Sequence, residues 1–182
     1  TEDLSQNSRT ALNGFNYDSH IYTDLTDDNQ EFLKSCDKLN YTKEAANLNK
    51  VFLNELTGSV SLVKDAGENR SLVILSASPK RDDLKLSEII QNAKSNDIKV
   101  YMVYLGNYCP NEYKLISIQT GGAWFENVDA DNIEYVIKCI KALEYGATPG
   151  KLTWNDIGCG TQKNFTLFEK NSGTSTSIKY EI

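Results

Sequence analysis

Ser76-Ala77-Ser78-Pro79, followed by Asp82-Asp83, brings two hydroxyls and two carboxylates together in one short stretch. Such a set admits two chemistries. A serine hydroxyl can act as a nucleophile once a base is positioned beside it, and clustered oxygens can grip a hard divalent cation. The stretch follows an apolar run, Leu72-Val73-Ile74-Leu75, so it sits where a buried strand ends, and open α/β sheets place ligands at the carboxyl ends of their strands. Nucleophilic chemistry lacks its base, because the sole histidine, His20, lies far upstream beside Ser19 in a segment with hairpin character. A simpler reading makes Ser76-Ala77-Ser78 a helix-capping loop ahead of Pro79, with Asp82 and Asp83 complementing a helix macrodipole. No glycine-rich phosphate loop follows any strand.

Composition narrows the partners. The chain of 182 residues carries 19 basic and 25 acidic side chains, a net charge of −6, and no basic stripe that would neutralise phosphates, so nucleic acid is not an expected partner. No apolar run reaches the ~20 residues that a membrane span requires. Cys36, Cys109, Cys139 and Cys159 are widely spaced without a C-x-x-C pair, which points to free thiols or one or two disulfides rather than zinc. Three glycosylation sequons, at Asn40, Asn69 and Asn164, tilt the compartment toward the extracellular side or cell surface, with the cytoplasm as the alternative. Trp124, Trp154 and ten tyrosines are candidates for an interface or for ordinary packing, and Trp124 is the one singled out as an interaction residue.

The elements that position these residues follow from periodicity. Residues 11–16 and 21–25 read as a hairpin about Tyr17-Asp18-Ser19. Asp27 and Gln30 resemble a capping box, ahead of a helix with Phe32, Leu33, Cys36 and Leu39 at helical spacing. A second helix spans about residues 43–56 with Ala45, Leu48, Phe52 and Leu56 on one face. Then strands and helices alternate: a strand at 71–76, a helix through Leu84, Leu86, Ile89, Ile90 and Ala93, a strand at 98–105, a helix near 112–118, a stop at Gly121-Gly122, and a short strand at 123–126. A last helix carries the stripe Ile133, Val136, Ile137, Ile140 and Leu143. The expected fold is α/β, a doubly wound, mostly parallel sheet with helices on both faces. At Gly146-Ala147-Thr148-Pro149-Gly150 linker chemistry begins, and residues 151–154, 164–168 and 177–182 read as strands of a short C-terminal β segment. The expected domains are therefore 1–146 and 147–182.

The order of elements across residues 9–146 resembles a von Willebrand factor A domain from its second strand onward. Gly14-Phe15-Asn16 before Leu25-Thr26-Asp27-Asp28 is similar to the family's second and third strands. Leu72-Val73-Ile74-Leu75-Ser76 is similar to its fourth, and residues 98–106 resemble its fifth. The resemblance implies a metal-ion-dependent adhesion site, but the first strand and its Asp-x-Ser-x-Ser motif are absent. Thr42 stands near the family's threonine, and Ser78 takes the place of its aspartate. The implied site is degenerate, with no metal and no cofactor expected. Leu152-Thr153-Trp154, then Gly158-Cys159-Gly160-Thr161, then Asn171-Ser172-Gly173 give residues 151–182 a pattern that resembles the opening strands of immunoglobulin-like modules of large surface and ciliary proteins, with a β-tail packed on the first domain as the alternative.

The resemblance implies a non-catalytic protein–protein interaction or assembly module of a larger surface, secreted or structural protein. It also implies a gap beside residues 72–76 that a strand from a partner, or from elsewhere in the parent chain, would fill. Two alternatives remain: a hydrolase using the 76–83 loop, and an intracellular assembly scaffold.

Overall fold

The computed structural model describes residues 8–40, 46–79, 81, 83–146, 163–168 and 175–180. Its contacts divide the chain into two units, Thr1–Thr148 and Pro149–Ile182. The first opens with an antiparallel hairpin, β1 (Thr10–Phe15) and β2 (Ser19–Thr26). Its turn closes because the Asn16 side chain accepts the Asp18 N–H at 3.0 Å and Asp18 Oδ1 accepts the Ser19 N–H at 2.9 Å. Helix α1 (Asn29–Cys36) is capped by Asp28, whose carboxylate accepts from the Gln30 and Glu31 N–H groups. The cap is thus one residue later than the Asp27 box expected from sequence. The face of α1 turned inward is Phe32, Ser35 and Cys36, while Leu33 and Leu39 are exposed.

Of the second helix expected over about residues 43–56 the described residues show the short α2 (Leu48–Leu53), and a further short helix that the sequence reading did not include, α3 (Ser59–Val63), follows it. Asn54 ends α2 in an extended conformation and its side chain accepts the Leu56 and Thr57 N–H groups, so the chain turns before resuming at Gly58. Leu56 is consequently 85% exposed instead of sharing a face with Phe52. The hairpin is fastened to this region: the Asn47 N–H donates to Asn16 O at 2.7 Å, and Asn13 Nδ2 donates to Thr57 O at 2.6 Å.

Strand β3 (Arg70–Ser76) follows a turn in which Gly67 and Asn69 have positive φ, a conformation glycine and asparagine tolerate. Helix α4 (Leu86–Ser95) and strand β4 (Ile98–Tyr104) complete a βαβ unit, with Asp97 at φ 53° between them. Helix α5 (Asn111–Gln119), strand β5 (Trp124–Phe125) and helix α6 (Ile133–Glu144) finish the unit. The sheet is parallel throughout in the order β3-β4-β5.

Alternation along β4 separates two apolar layers. Val100 and Met102, with Leu72 and Ile74 of β3, pack against α2, α3, α4 and α5. Tyr101 and Val103 pack on the opposite side with Val128 and with Val136 and Ile140 of α6. The fold is therefore α/β, with a three-stranded parallel sheet and helices on both faces. Ile137, expected on the buried stripe of α6, is 46% exposed; Val136 and Ile140 carry that face.

In the second unit, β6 (Lys163–Phe168) pairs antiparallel with β7 (Ser175–Tyr180), from Lys163 opposite Tyr180 to Phe168 opposite Ser175. The expected strand at residues 151–154 lies outside the described residues, as do Thr42, Asp82 and Cys159.

Candidate functional site

The described residues of the loop after β3 are held at several points. Ser76 is buried, and its Oγ accepts the Ser78 N–H at 3.2 Å. Tyr113 Oη donates to Pro79 O at 3.2 Å, and Tyr104 Oη reaches Ala77 O at 3.4 Å. Further on, Asn49 of α2 clamps the chain from both sides, Nδ2 donating to Asp83 O and Oδ1 accepting the Lys85 N–H, each at 2.9 Å. Asn49 was not legible as a loop anchor in the sequence, because nothing local ties position 49 to positions 83 and 85.

Asp83 does not serve a helix start. Lys85 occupies the N-cap of α4, and Glu88 is the acid of its first turn. The Asp83 carboxylate instead takes a two-pronged contact from Arg81, Nε at 2.9 Å and Nη2 at 3.3 Å. The hydrogen bond from Arg81 holds Asp83 below the ordinary carboxylate value and raises Arg81 in return. The Arg81 guanidinium also lies over the Tyr17 ring, 5.9 Å from its centroid. His20 lies in β2 with its ring edge-on to Tyr22 at 4.9 Å. The Ser76 hydroxyl thus accepts from the Ser78 backbone N–H, while the histidine ring engages Tyr22 within the hairpin. Among the described residues no group of three or more His, Cys, Asp or Glu side chains is placed to hold a metal ion.

Trp124 stands on β5, 37% exposed, with the Lys114 ammonium 5.6 Å from its ring centroid. Lys114 also pairs with Glu126 at 2.8 Å, and the same Glu126 oxygen accepts the Cys109 N–H at 2.9 Å. Burial pushes the Glu126 carboxyl upward, yet Lys114 and the Cys109 N–H together hold it below its ordinary value. This cluster ties α5 to the strand that follows it.

The other feature is the free edge of β3. Among the described residues its one sheet neighbour is β4, and the hairpin forms a separate sheet. Val73 and Leu75 stand opposite Tyr101 and Val103, so their side chains share the α6 side of the sheet. There α6 covers Tyr101 and Val103 completely but leaves Val73 41% and Leu75 48% exposed. Beside Leu75 opens an apolar groove of about 340 Å³ lined by Leu105, Val128, Asp129, Ala130 and Ile133. Exposed apolar surface bordering a bare strand edge is a feature of binding surfaces. The sequence reads this stretch as a central strand buried on both faces; the structure corrects that, because among the described strands β4 is the central one and β3 lies at the edge with its α6 side half exposed.

No family model and no curated protein matches the chain. Among solved structures, the crystal structure of an uncharacterized membrane spanning protein from Vibrio fischeri is similar, with a TM-score of 0.38 and 21% identity over 75% of this chain and 76% of that one. A likeness of that depth carries no argument about function. Among the described residues, no helix is long and apolar enough to cross a membrane.

Proposed function

We propose that residues 9–146 form a degenerate von Willebrand factor A-like domain that works as a non-catalytic protein-binding or assembly module of a larger surface, secreted or structural protein. The observation that carries the reading is the open β3 edge, with Val73 and Leu75 exposed beside an apolar groove. A strand laid along that edge would gain main-chain hydrogen bonds and cover both side chains, the mode of recognition called strand addition. The separate hairpin preceding a parallel sheet with helices on both faces supports the family reading. Against the hydrolase alternative stands the loop itself, whose Ser76 hydroxyl is buried and engaged by Ser78.

The test uses an eight-residue peptide of alternating valine and isoleucine between terminal lysines. Added to the purified chain, it is expected to slow amide exchange at Val73 and Leu75. No slowing, together with hydrolase turnover that Ser76→Ala or Ser78→Ala abolishes, would overturn the reading in favour of an enzyme.

A further inference from the structure

We infer that Asn69 is the acceptor of an N-linked glycan, transferred from a lipid-pyrophosphate-linked oligosaccharide. This rests on the surface or secreted reading above, since that donor is met on the secretory route. Asn69-Arg70-Ser71 supplies the required pattern, an amide followed two residues on by a hydroxyl. In the transfer, Nδ2 of Asn69 bonds to the anomeric carbon of the first sugar while that carbon's bond to the pyrophosphate oxygen breaks. The lipid pyrophosphate leaves, and one Nδ2 proton is released.

The structure separates this motif from the other two. Asn164 stands within β6, opposite Lys179. Asn40 is exposed, but Thr42 of its motif lies outside the described residues. Asn69 sits in the turn ahead of β3, where residues 67–69 are all exposed and a β-carbon on Gly67 would meet nothing within 4 Å. A bulky hydrophilic group needs such room once the chain has folded. Among the described residues none hydrogen-bonds the Asn69 side chain or the Ser71 hydroxyl, and the Arg70 guanidinium between them is folded back onto Lys64 O. The asparagines that fasten the first unit are different ones. Asn13, Asn49, Asn54 and Asn92 all spend their side-chain amides on main-chain groups, and none of them begins such a motif. The Asn69 backbone serves the turn through its φ of 58°, while its amide is left to solvent. The position also suits the binding surface. Asn69 precedes Leu75 by six residues, about 20 Å of extended chain. A glycan there flanks the amino end of the β3 edge and leaves the groove beside Leu75 open.

The test expresses the full chain behind a cleavable secretion leader in cultured animal cells. Peptides from medium and cells together are mapped by mass after peptide N-glycosidase treatment in oxygen-18 water, which marks each glycan-bearing asparagine as a labelled aspartate. The expected result is a mark at Asn69 in most of the chains, lost in Ser71→Ala and kept in Ser71→Thr. Ser71→Ala leaves Asn69 and its turn in place; should that variant fail to accumulate, the map of the unsubstituted chain decides. A bare Asn69 overturns the inference, whether or not Asn40 or Asn164 is marked, and so does a mark that persists in Ser71→Ala. A bare Asn69 in a chain whose Val73 and Leu75 amides still slow with the valine–isoleucine peptide overturns the glycan alone. A glycosylated chain that ignores the peptide sinks the binding reading and leaves the glycan standing.

Discussion

A β-carbon added to Gly122 would lie 2.0 Å from the carbonyl oxygen of Val100. This close approach lets the chain leave α5 and drop directly beside β4, where the Met102 N–H donates to Ala123 O and β5 begins. Gly121, its neighbour, has φ 80° and open space around it. The pair therefore does two jobs, one conformational and one steric. Gly122→Ala should cost about 3 kcal/mol or more, since backbone must move to admit the methyl group. Gly121→Ala should cost about 1 kcal/mol, the penalty of a strained φ alone. Urea unfolding of both variants checks the ranking, and an equal loss would refute it.

The loop after β3 should depend on Asn49 more than on its own serines. Asn49→Ala removes both clamps at once and leaves Asp83 O and the Lys85 N–H without that partner, so a loss of about 1–2 kcal/mol is expected. Asp83→Asn breaks an exposed ion pair with Arg81 and should leave stability nearly unchanged. Thermal melts of the two variants separate these outcomes.

Stability should fall on the alkaline side. Burial pushes the Cys109 thiol up to about 11 and the Tyr113 hydroxyl up to about 12, and it raises Tyr101 further, aided by Glu144. In the unfolded chain these groups ionise near their ordinary values of about 8.5 for cysteine and about 10 for tyrosine. The contribution of each is thus whole below its unfolded value and is lost as pH climbs toward the folded one. Denaturation midpoints measured from pH 8 to 11 should decline steadily, and Cys109→Ser should flatten the early part of the fall. A flat profile would contradict the burial of these three groups.

The same burial orders the thiols. Cys36, Cys109 and Cys139 are all free, but Cys109 is buried while the other two are partly accessible. Alkylation at pH 8, followed by peptide mass mapping, should label Cys36 and Cys139 well before Cys109, which should react fully only on unfolding.

Magnesium, manganese or calcium at millimolar concentration should leave the melting temperature unchanged, because an ion stabilises only by binding the native state. A reproducible rise of several degrees, lost in Asp82→Asn/Asp83→Asn, would restore a cation to the loop.

Much of the architecture is written locally in the sequence. The apolar run from Leu72 to Leu75 and that from residue 98 onward mark strands, the spacing of Ile89 and Ala93 marks the helix between them, and Gly121-Gly122 marks its successor's end. Hydropathy with a period of two or of 3.6 reports a residue's own segment, which is why these elements were legible without any partner in view. The turn at Asp18 was legible for the same reason.

What the tertiary structure alone decided concerns relations across the chain. It set the face α1 turns inward, the exposure of Leu56 once Asn54 had ended α2, the grip of Asn49 on residues 83 and 85, and the pairing of Asp83 with Arg81. Above all it showed β3 at the edge of its sheet and Leu75 beside a groove. A strand apolar on both faces is written identically whether one or two neighbours flank it, because side-chain hydropathy describes the faces of a sheet and says nothing of its edges, where backbone groups do the pairing.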